Sequence, residues 1–228
     1  MNHQPIAHAW DLNPAEARTV QERLAPSVVR RDALGPVRWI AGLDVHFPEK
    51  HLARAAVVLV AYPEMVSVEV AVVEDAVHFP YVPGLLSFRE APALLKALDR
   101  LRTKPDLLLI DGQGLAHPRR FGVACHLGLL ADIPAIGCAK SRLIGVAGDP
   151  GPDRGDWTAL IDSGEMVGAV VRTRAGVKPL YVSTGHRVSL ETARQWVVAC
   201  GGHFRLPEPC RFAHRLAGGG SVPVQAIG

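Results

Sequence analysis

Apolar positions along the chain follow two different periods, and these predict its secondary structure. Residues 14–31 carry apolar side chains at helical spacing, and Asn13 followed by Pro14 is typical of an N-cap and first turn. Three β-rich runs follow it, at residues 37–47, 54–62 and 66–74. Because only short polar breaks separate them, they predict an antiparallel meander.

The second half of the chain alternates short apolar runs with helical patterns. "LLLI" at 107–110 is wholly apolar, which is typical of a strand buried on both faces. Further elements are predicted as a helix at 122–132, a strand at 134–139, strands within 157–162, 166–172 and 179–183, and a helix from Ser189 to about Cys200. This order indicates an α/β fold, a ribonuclease H-like mixed sheet in which an antiparallel meander and parallel strands are flanked by helices. We expect one domain over residues 1–228, with a loose tail from about 218 to 228.

Ser87 and Glu90 precede a leucine-rich helical pattern and match the S-x-x-E spacing of a capping box. Local spacing therefore favours a structural role for Glu90 at the start of a helix. The same position also projects a carboxylate toward the ends of neighbouring strands, so a functional role stays open.

Composition narrows the class of protein only a little. A formal net charge of +3 permits a phosphate-rich partner without requiring one. The four cysteines form no CxxC pair, and no run of about 18 apolar residues is present that would cross a membrane. The first residues also lack the pattern of a signal peptide, so we expect a soluble, cytoplasmic protein and no membrane partner.

Two carboxylates stand where a sheet would bury them. Asp44 lies inside the apolar strand "WIAGLDVHF", and Asp111 directly follows "LLLI". An ionised carboxylate in a sheet is costly unless a cation or a partner offsets its desolvation. Each residue alone is compatible with a turn cap or an ion pair, but the pair, with Glu90 as a third member, favours a site for Mg²⁺ or Mn²⁺. Such a site suits metal-assisted phosphodiester hydrolysis.

Glycines and basic residues follow these carboxylates. Gly112 and Gly114 come directly after Asp111, and the segment ends in Arg119 and Arg120, which offer contacts to phosphate. Lys140 follows a buried strand and His186 precedes a helix. Taken singly, each basic residue is more simply explained as a solvated or helix-entry residue; Lys140 alternatively binds phosphate, and His186 alternatively ligates a metal or shuttles a proton.

Several long motifs, in this order, resemble the endonuclease V family, which nicks nucleic acid near deaminated purines. They are "IAGLDV", "PYVPGLLSFRE", "LLLIDGQGLAHPRRFGVACHLGLL", "IGCAKSRLIG", "VSTGHRVSL" and "CGGHFRLPEPCRFAHRL", and together they span about residues 15–217. The resemblance implies a ribonuclease H-like fold and Mg²⁺, for which Mn²⁺ can substitute. It also implies cleavage of the second phosphodiester bond 3′ to a deoxyinosine, leaving 3′-hydroxyl and 5′-phosphate ends, as part of DNA repair.

The resemblance also implies roles for individual residues. The catalytic set it implies is Asp44, Glu90, Asp111, Lys140 and His186, with Asp44, Glu90 and Asp111 as metal ligands. The wedge that would enter the DNA is Pro80, Tyr81, Val82 and Pro83. The pocket around the lesion base is Gly84, Leu85, Gly112, Gly114, Leu115 and His117. Inosine-containing DNA is the implied partner, with inosine-containing RNA left open, and we expect a monomer.

Physical considerations support such a wedge and pocket. A base inside a duplex is read on its pairing edge only after it is flipped out, and an inserted side chain can fill the vacated stack. One departure from the family pattern is His46, which stands near Asp44 where the family often has a small residue. Two alternatives remain at this point: another ribonuclease H-like nuclease, such as one that cuts four-way junctions, and a nucleic-acid-binding module that does not cleave.

Overall fold

A computed structural model describes residues 8–225, which form one mixed sheet with helices on both faces. The strands are β1 (Trp39–Glu49), β2 (Leu52–Ala61), β3 (Val66–Ala76), β4 (Leu107–Ile110), β5 (Ala135–Ala139), β6 (Trp157–Asp162), β7 (Glu165–Val171) and β8 (Leu180–His186). The helices are α1 (Pro14–Leu24), α2 (Ser87–Leu98), α3 (Val123–Ala131), α4 (Leu190–Ala199) and α5 (Glu208–Ala217).

The sheet has the order β3-β2-β1-β4-β5-β8-β7-β6. Strands β1, β2 and β3 pair antiparallel, β1, β4 and β5 pair parallel, and β5, β8, β7 and β6 pair antiparallel. The predicted mixed sheet with an antiparallel meander is therefore confirmed. Parallel strands β4 and β5 lie in its centre, where both faces are covered, which explains why "LLLI" shows no alternation of polar and apolar positions.

Two cores lie on opposite faces of the sheet, because successive side chains of a strand point to opposite sides. Leu108 and Ile110 pack with α2 and α3 on one face. Leu107 and Leu109 pack with α4 and α5 on the other. Helices therefore reach the ends of the central strands from both sides.

Both ends of α1 can be explained by local chemistry. Asn13 caps α1 as predicted, accepting hydrogen bonds from the N–H groups of Ala15 and Glu16. This helix ends at Leu24, earlier than predicted, and a 3₁₀ turn containing Pro26 follows it. The sequence did not lead us to predict α5. This helix has a proline in its first turn, a position where proline is well tolerated.

The predicted capping box at Ser87 and Glu90 is wrong. Residues before Ser87 already turn, with Leu85 N–H donating to Val82 O, and Leu86 holds the N-cap position with helical backbone angles. Ser87 therefore lies inside the first turn, and its hydroxyl bonds the Nδ1 atom of His126 in α3 at 3.1 Å. Glu90 is buried and free for another role.

The segment after α5 is described as far as residue 225, and residues 226–228 of the predicted tail lie outside the described part. Gln225 N–H donates to Ser67 O at 2.8 Å, so this stretch runs beside β3. The four cysteines are free and buried. Within the described residues, no helix has the length and apolar character needed to cross a membrane. The single-domain assignment stays a prediction.

Candidate active site

Asp44 and Asp111 lie side by side in the middle of the sheet, at the carboxyl-terminal end of β4. Leu43 of β1 pairs with Ile110 of β4 in parallel register, and the N–H of Asp111 donates to the carbonyl of Leu43 at 3.0 Å. The next residue on each strand is therefore a carboxylate. Both side chains are almost buried, as the sequence led us to expect.

Helices from opposite faces complete this group. Helix α5 brings His214, whose Nδ1 atom lies 2.6 Å from Asp44 Oδ2. One ligand atom from each of Asp44, Asp111 and His214 lies within 4.8 Å of the other two. Helix α2 brings the buried carboxyl of Glu90, close enough to both aspartates to interact with them electrostatically. The structure thus groups two of the three predicted metal ligands, Asp44 and Asp111, with a histidine. Glu90 lies near enough to influence them but is not part of this group, so its role as a ligand stays a prediction.

Charge is concentrated here with little solvent to stabilise it. Burial, and then the neighbouring Asp111, raise the pKa of Asp44, while the hydrogen bond to His214 opposes that rise. Burial, and then Asp44 and Asp111, raise the pKa of Glu90 well above its usual range. Carboxylates that disfavour one another's ionisation in this way are stabilised by a bound cation.

The donor atoms fit a hard divalent cation. Oδ2 of Asp111 is buried and accepts no hydrogen bond of good geometry among the described residues, although the Lys140 ammonium contacts it. Carboxylate oxygens are the ligands that Mg²⁺ and Mn²⁺ prefer. Asp44, Asp111 and His214 are therefore the residues best placed to hold such an ion.

Lys140 directly follows β5 and lies beside Asp111 and His214. Its ammonium contacts Asp111 and lies 3.3 Å from Nδ1 of His214. The guanidinium of Arg205 donates to the carbonyl of Lys140 at 2.5 Å, which fixes the backbone at the end of the strand. The structure therefore brings Lys140 to the carboxylates, as predicted.

His214 escaped the sequence reasoning, although it lies in the quoted segment "CGGHFRLPEPCRFAHRL". Its side chain is 58 % exposed. It lies in an amphipathic helix directly after Ala213, which is a residue of the buried face. Neither feature separates it from an ordinary surface histidine. Only the packing of α5 against β1 shows that its ring reaches Asp44.

Two concave spaces meet at these residues. A cleft of about 470 Å³ is lined by Asp44, Val45, His46, Asp111, Lys140, His214 and Gly218. A second space of about 440 Å³, here called the base cavity, lies next to it and is also lined by Asp111 and Lys140. Asp111 and Lys140 thus form a wall common to both. His46 contributes a large ring to the cleft at the point where the sequence departs from the family pattern.

The segment Pro80–Pro83 borders the base cavity. Tyr81, Val82 and Pro83 line it, and the Tyr81 side chain is 72 % exposed. The prolines on either side restrict the backbone that carries this ring, because proline fixes its own backbone angle. The ring is therefore available to contact a partner.

The predicted pocket residues fall into two groups. Gly84, Gly112 and His117 line the base cavity. Leu85, Gly114 and Leu115 are buried and do not line it. A Cβ atom on Gly114 would lie 2.1 Å from the carbonyl oxygen of Thr184, and the Gly114 N–H already donates to Ser183 Oγ. Gly114 is thus needed for close packing.

His117 is a neutral ring in the wall of the base cavity. Its Nδ1 atom accepts from the N–H of Arg119 at 3.2 Å, so its Nε2–H is the atom that donates to the carbonyl of Gly84 at 2.9 Å. Burial lowers the pKa of His117 to about 4. The ring acts here as an uncharged hydrogen-bonding group.

The structure corrects the expectation that His186 joins the carboxylates. In the antiparallel pair β5 and β8, His186 lies opposite Ala135, at the start of β5, whereas Lys140 follows its end. His186 therefore lies near Asp132, at the opposite end of the central strands from the carboxylates. Arg120 is likewise held internally, by ion pairs with Asp162 and Glu165.

The fold and the site together define a class of protein. A mixed sheet whose central parallel strands β1 and β4 bring two carboxylates side by side, with an acidic helix residue near them, is the arrangement of a ribonuclease H-like metal-dependent nuclease. Comparison with known proteins narrows this class.

Residues 22–215 match the family model described as Endonuclease V. Endonuclease V of Roseiflexus castenholzii is 56% identical over 217 residues, which cover 95% of this chain and 97% of the relative. The crystal structure of Streptomyces avermitilis endonuclease V is similar with a TM-score of 0.87 and 41% identity, over 92% of this chain and 93% of that one. The structure of Ciona intestinalis endonuclease V, in complex with DNA containing an inosine followed by a ribo-adenosine, is similar with a TM-score of 0.79 and 31% identity, over 90% of this chain and 96% of that one. The chain therefore belongs to the endonuclease V family.

Proposed function

We propose that this protein recognises deoxyinosine, the product of adenine deamination, in DNA and cuts the same strand on the 3′ side of the lesion. The cut is at the second phosphodiester bond and leaves 3′-hydroxyl and 5′-phosphate ends, with Mg²⁺ as cofactor and Mn²⁺ as a substitute. The observation that carries this proposal is the wall formed by Asp111 and Lys140, which the base cavity and the carboxylate-lined cleft share.

Recognition is assigned to the base cavity. Tyr81 occupies the gap left in the base stack when the lesion is flipped out, since its ring is exposed and stiffened by flanking prolines. The cavity then tests the extruded purine against close-packed backbone at Gly84 and Gly112. Hypoxanthine lacks the exocyclic amine of guanine and has an acceptor where adenine has an amine, so a tight wall can reject both.

Cleavage is assigned to the neighbouring cleft. Asp44, Asp111 and His214 would hold the metal ion, which when bound activates water and stabilises charge on the phosphate. The Lys140 ammonium borders both spaces and offers a charge-assisted contact to the phosphate being cut. Hydrolysis joins the oxygen of water to phosphorus and breaks the bond between phosphorus and the 3′ oxygen, which leaves as the hydroxyl.

A nicking assay tests this proposal. Labelled single strands and duplexes of DNA and RNA, with and without one inosine, are incubated in Mg²⁺, in Mn²⁺ or in a chelator, and the cut is mapped to the nucleotide. We expect one metal-dependent cut at the second bond 3′ to inosine. Stronger cutting of four-way junctions would instead favour a structure-specific nuclease, and binding without a cut would favour a non-cleaving module.

Lys140→Met gives a separate test of the cleft. The substitution keeps the length of the side chain and removes its charge, so turnover is expected to fall about 10²-fold or more while binding of the inosine strand stays. Lys178→Met, at an exposed loop position, is the matched control. Equal loss in both variants would argue against a contact between Lys140 and the reacting phosphate.

A further inference from the structure

Gln21 of α1 is a buried amide that joins two loops, both of which contribute residues to the lining of the base cavity. It is 1 % exposed. Its Nε2 group donates to the carbonyl of Gly84 and to the carbonyl of Phe121, both at 3.1 Å. Gly84 belongs to the loop before α2, and Phe121 to the loop before α3. One side chain thus connects the two loops.

Arg119 completes this connection. Its Nε–H donates to Gln21 Oε1 at 2.6 Å, and its terminal NH2 group donates to Gly84 O at 2.7 Å. The carbonyl of Gly84 therefore accepts hydrogen bonds from Gln21, Arg119 and His117. We call the pair Gln21 and Arg119 the loop crosslink.

The position that the crosslink holds is conformationally special. Gly84 has φ of +77°, a region that other residues rarely adopt, and it comes directly after the Pro80–Pro83 segment. A Cβ atom there would lie 2.9 Å from the terminal nitrogen of Arg119. The crosslink therefore fixes the point where the segment bearing Tyr81 meets the cavity.

Burying an amide is costly unless its polar atoms find partners. Here both N–H groups of the Gln21 amide and its oxygen are used, and every bond involves a loop that borders the base cavity. Attaching α1 to the rest of the fold requires no such group, because Ala17 and Leu24 already pack apolar surface. The placement points to control of the cavity.

We propose that Gln21 and Arg119 are positioning residues that set the width of the base cavity and thereby select hypoxanthine over guanine. This inference rests on the proposed function. Guanine differs from hypoxanthine by one exocyclic amine, so a wall that yields by the size of that group admits both bases. Rejection needs walls that stay in place, and the crosslink holds the two loops at a set separation.

Gln21→Met tests the inference, because methionine fills similar space without hydrogen-bonding groups. The rate constant kcat and KM are measured with Mg²⁺ on a duplex with one inosine and on the same duplex with guanine in its place, and the melting temperature is recorded. We expect kcat/KM for the inosine strand to fall mainly through KM. The ratio of inosine to guanine cleavage should fall at least about tenfold, which corresponds to about 1.4 kcal/mol.

Thr19→Ala is the matched control, since Thr19 is an exposed residue of the same helix and does not line the base cavity. It should leave the ratio unchanged. Arg119→Lys is the second variant: it keeps the charge but lacks the fork that reaches Gln21 and Gly84 together. The same loss of selectivity is expected from it.

The possible outcomes separate the two proposals. If the wild type prefers inosine and folded Gln21→Met keeps the ratio within about twofold, the inference is overturned and the proposed function stands. A wild type without any preference for inosine overturns both. If Gln21→Met does not fold, Arg119→Lys decides, and if neither folds, the crosslink holds the fold and the inference is overturned.

Discussion

Asp44 and Asp111 are neighbours because the parallel register of β1 and β4 pairs Leu43 with Ile110. Two residues that are far apart in the chain, one inside β1 and one directly after β4, thus bring the same chemistry to adjacent positions. Burial and mutual repulsion make this arrangement unfavourable for the fold alone. The placement is understandable if a cation and a phosphate bind there.

Asp111→Asn should remove metal-dependent cutting while leaving the binding of inosine-containing DNA largely intact. Loss of a metal ligand removes several kcal/mol of transition-state stabilisation, so we expect cleavage to fall at least about a thousandfold. Asp44→Ala should behave in the same way. The measurement is single-turnover nicking beside a gel-shift assay. Retained Mg²⁺-dependent cutting would exclude the substituted residue from the metal site.

The same variant gives a prediction without activity as the readout. Mg²⁺ or Mn²⁺ should raise the melting temperature of the wild type, because a ligand that binds only the folded state stabilises it. Asp111→Asn should lose this rise, and without metal it should be at least as stable as the wild type. Asp149→Asn, at an exposed position, is the control and should keep the rise.

Tyr81→Ala should weaken lesion recognition more than it affects stability. The ring is 72 % exposed, so its removal should change the free energy of unfolding by less than about 0.5 kcal/mol. Stacking of an aromatic ring on a base is worth about 1–3 kcal/mol, so KM for the inosine duplex should rise about tenfold or more. Tyr81→Phe keeps the ring and should behave like the wild type. Equal activity of all three proteins would argue against the wedge.

Gly114→Ala should mainly lower the stability of the protein. The added Cβ would lie 2.1 Å from the carbonyl oxygen of Thr184, which belongs to a central strand and cannot easily move. We expect a loss of at least about 1–3 kcal/mol in the free energy of unfolding. Gly148→Ala is the control, since its Cβ would meet no atom within 4 Å. A stable Gly114→Ala protein with altered base selectivity would instead indicate that Gly114 belongs to the recognition pocket.

The buried His126 predicts a pH dependence of stability. His8 Nδ1–H donates to Ala9 O, so its Nε2 accepts from His126, whose Nδ1 accepts in turn from Ser87. Burial lowers the pKa of His126 to about 3, against 6.5 for an exposed histidine. As pH falls below about 6.5, the unfolded chain takes up the proton first, so stability is present above that pH and is lost toward pH 3.

Urea unfolding between pH 7 and pH 4 measures this effect. His126 should contribute a slope of up to about 1.4 kcal/mol per pH unit below about pH 6. In His126→Gln the side chain no longer titrates, and the slope should be smaller by about one proton. His117 and His186, whose pKa values burial lowers to about 4, add slopes of the same sign that remain in the variant. An unchanged slope in His126→Gln would contradict the prediction.

Local chemistry made several elements predictable from the sequence. The cap at Asn13 depends on a side chain and the backbone three residues away, and the cap at Ser189 likewise. Ser87 has the same type of spacing, yet its predicted cap is wrong. The preceding residues already turn there, and His126 of α3 offers its hydroxyl a partner that is distant in sequence.

By itself, the sequence determined the strands, most of the helices and the two carboxylates placed inside or directly after apolar strands, since the spacing of apolar residues and the cost of buried charge are local properties. The tertiary structure decided which side chains meet. It brought His214 of α5 to Asp44 and placed His186 at the opposite end of the central strands. It also connected two loops that line the base cavity through Gln21. Strand register and helix packing set these distances, and both depend on contacts between residues far apart in the chain.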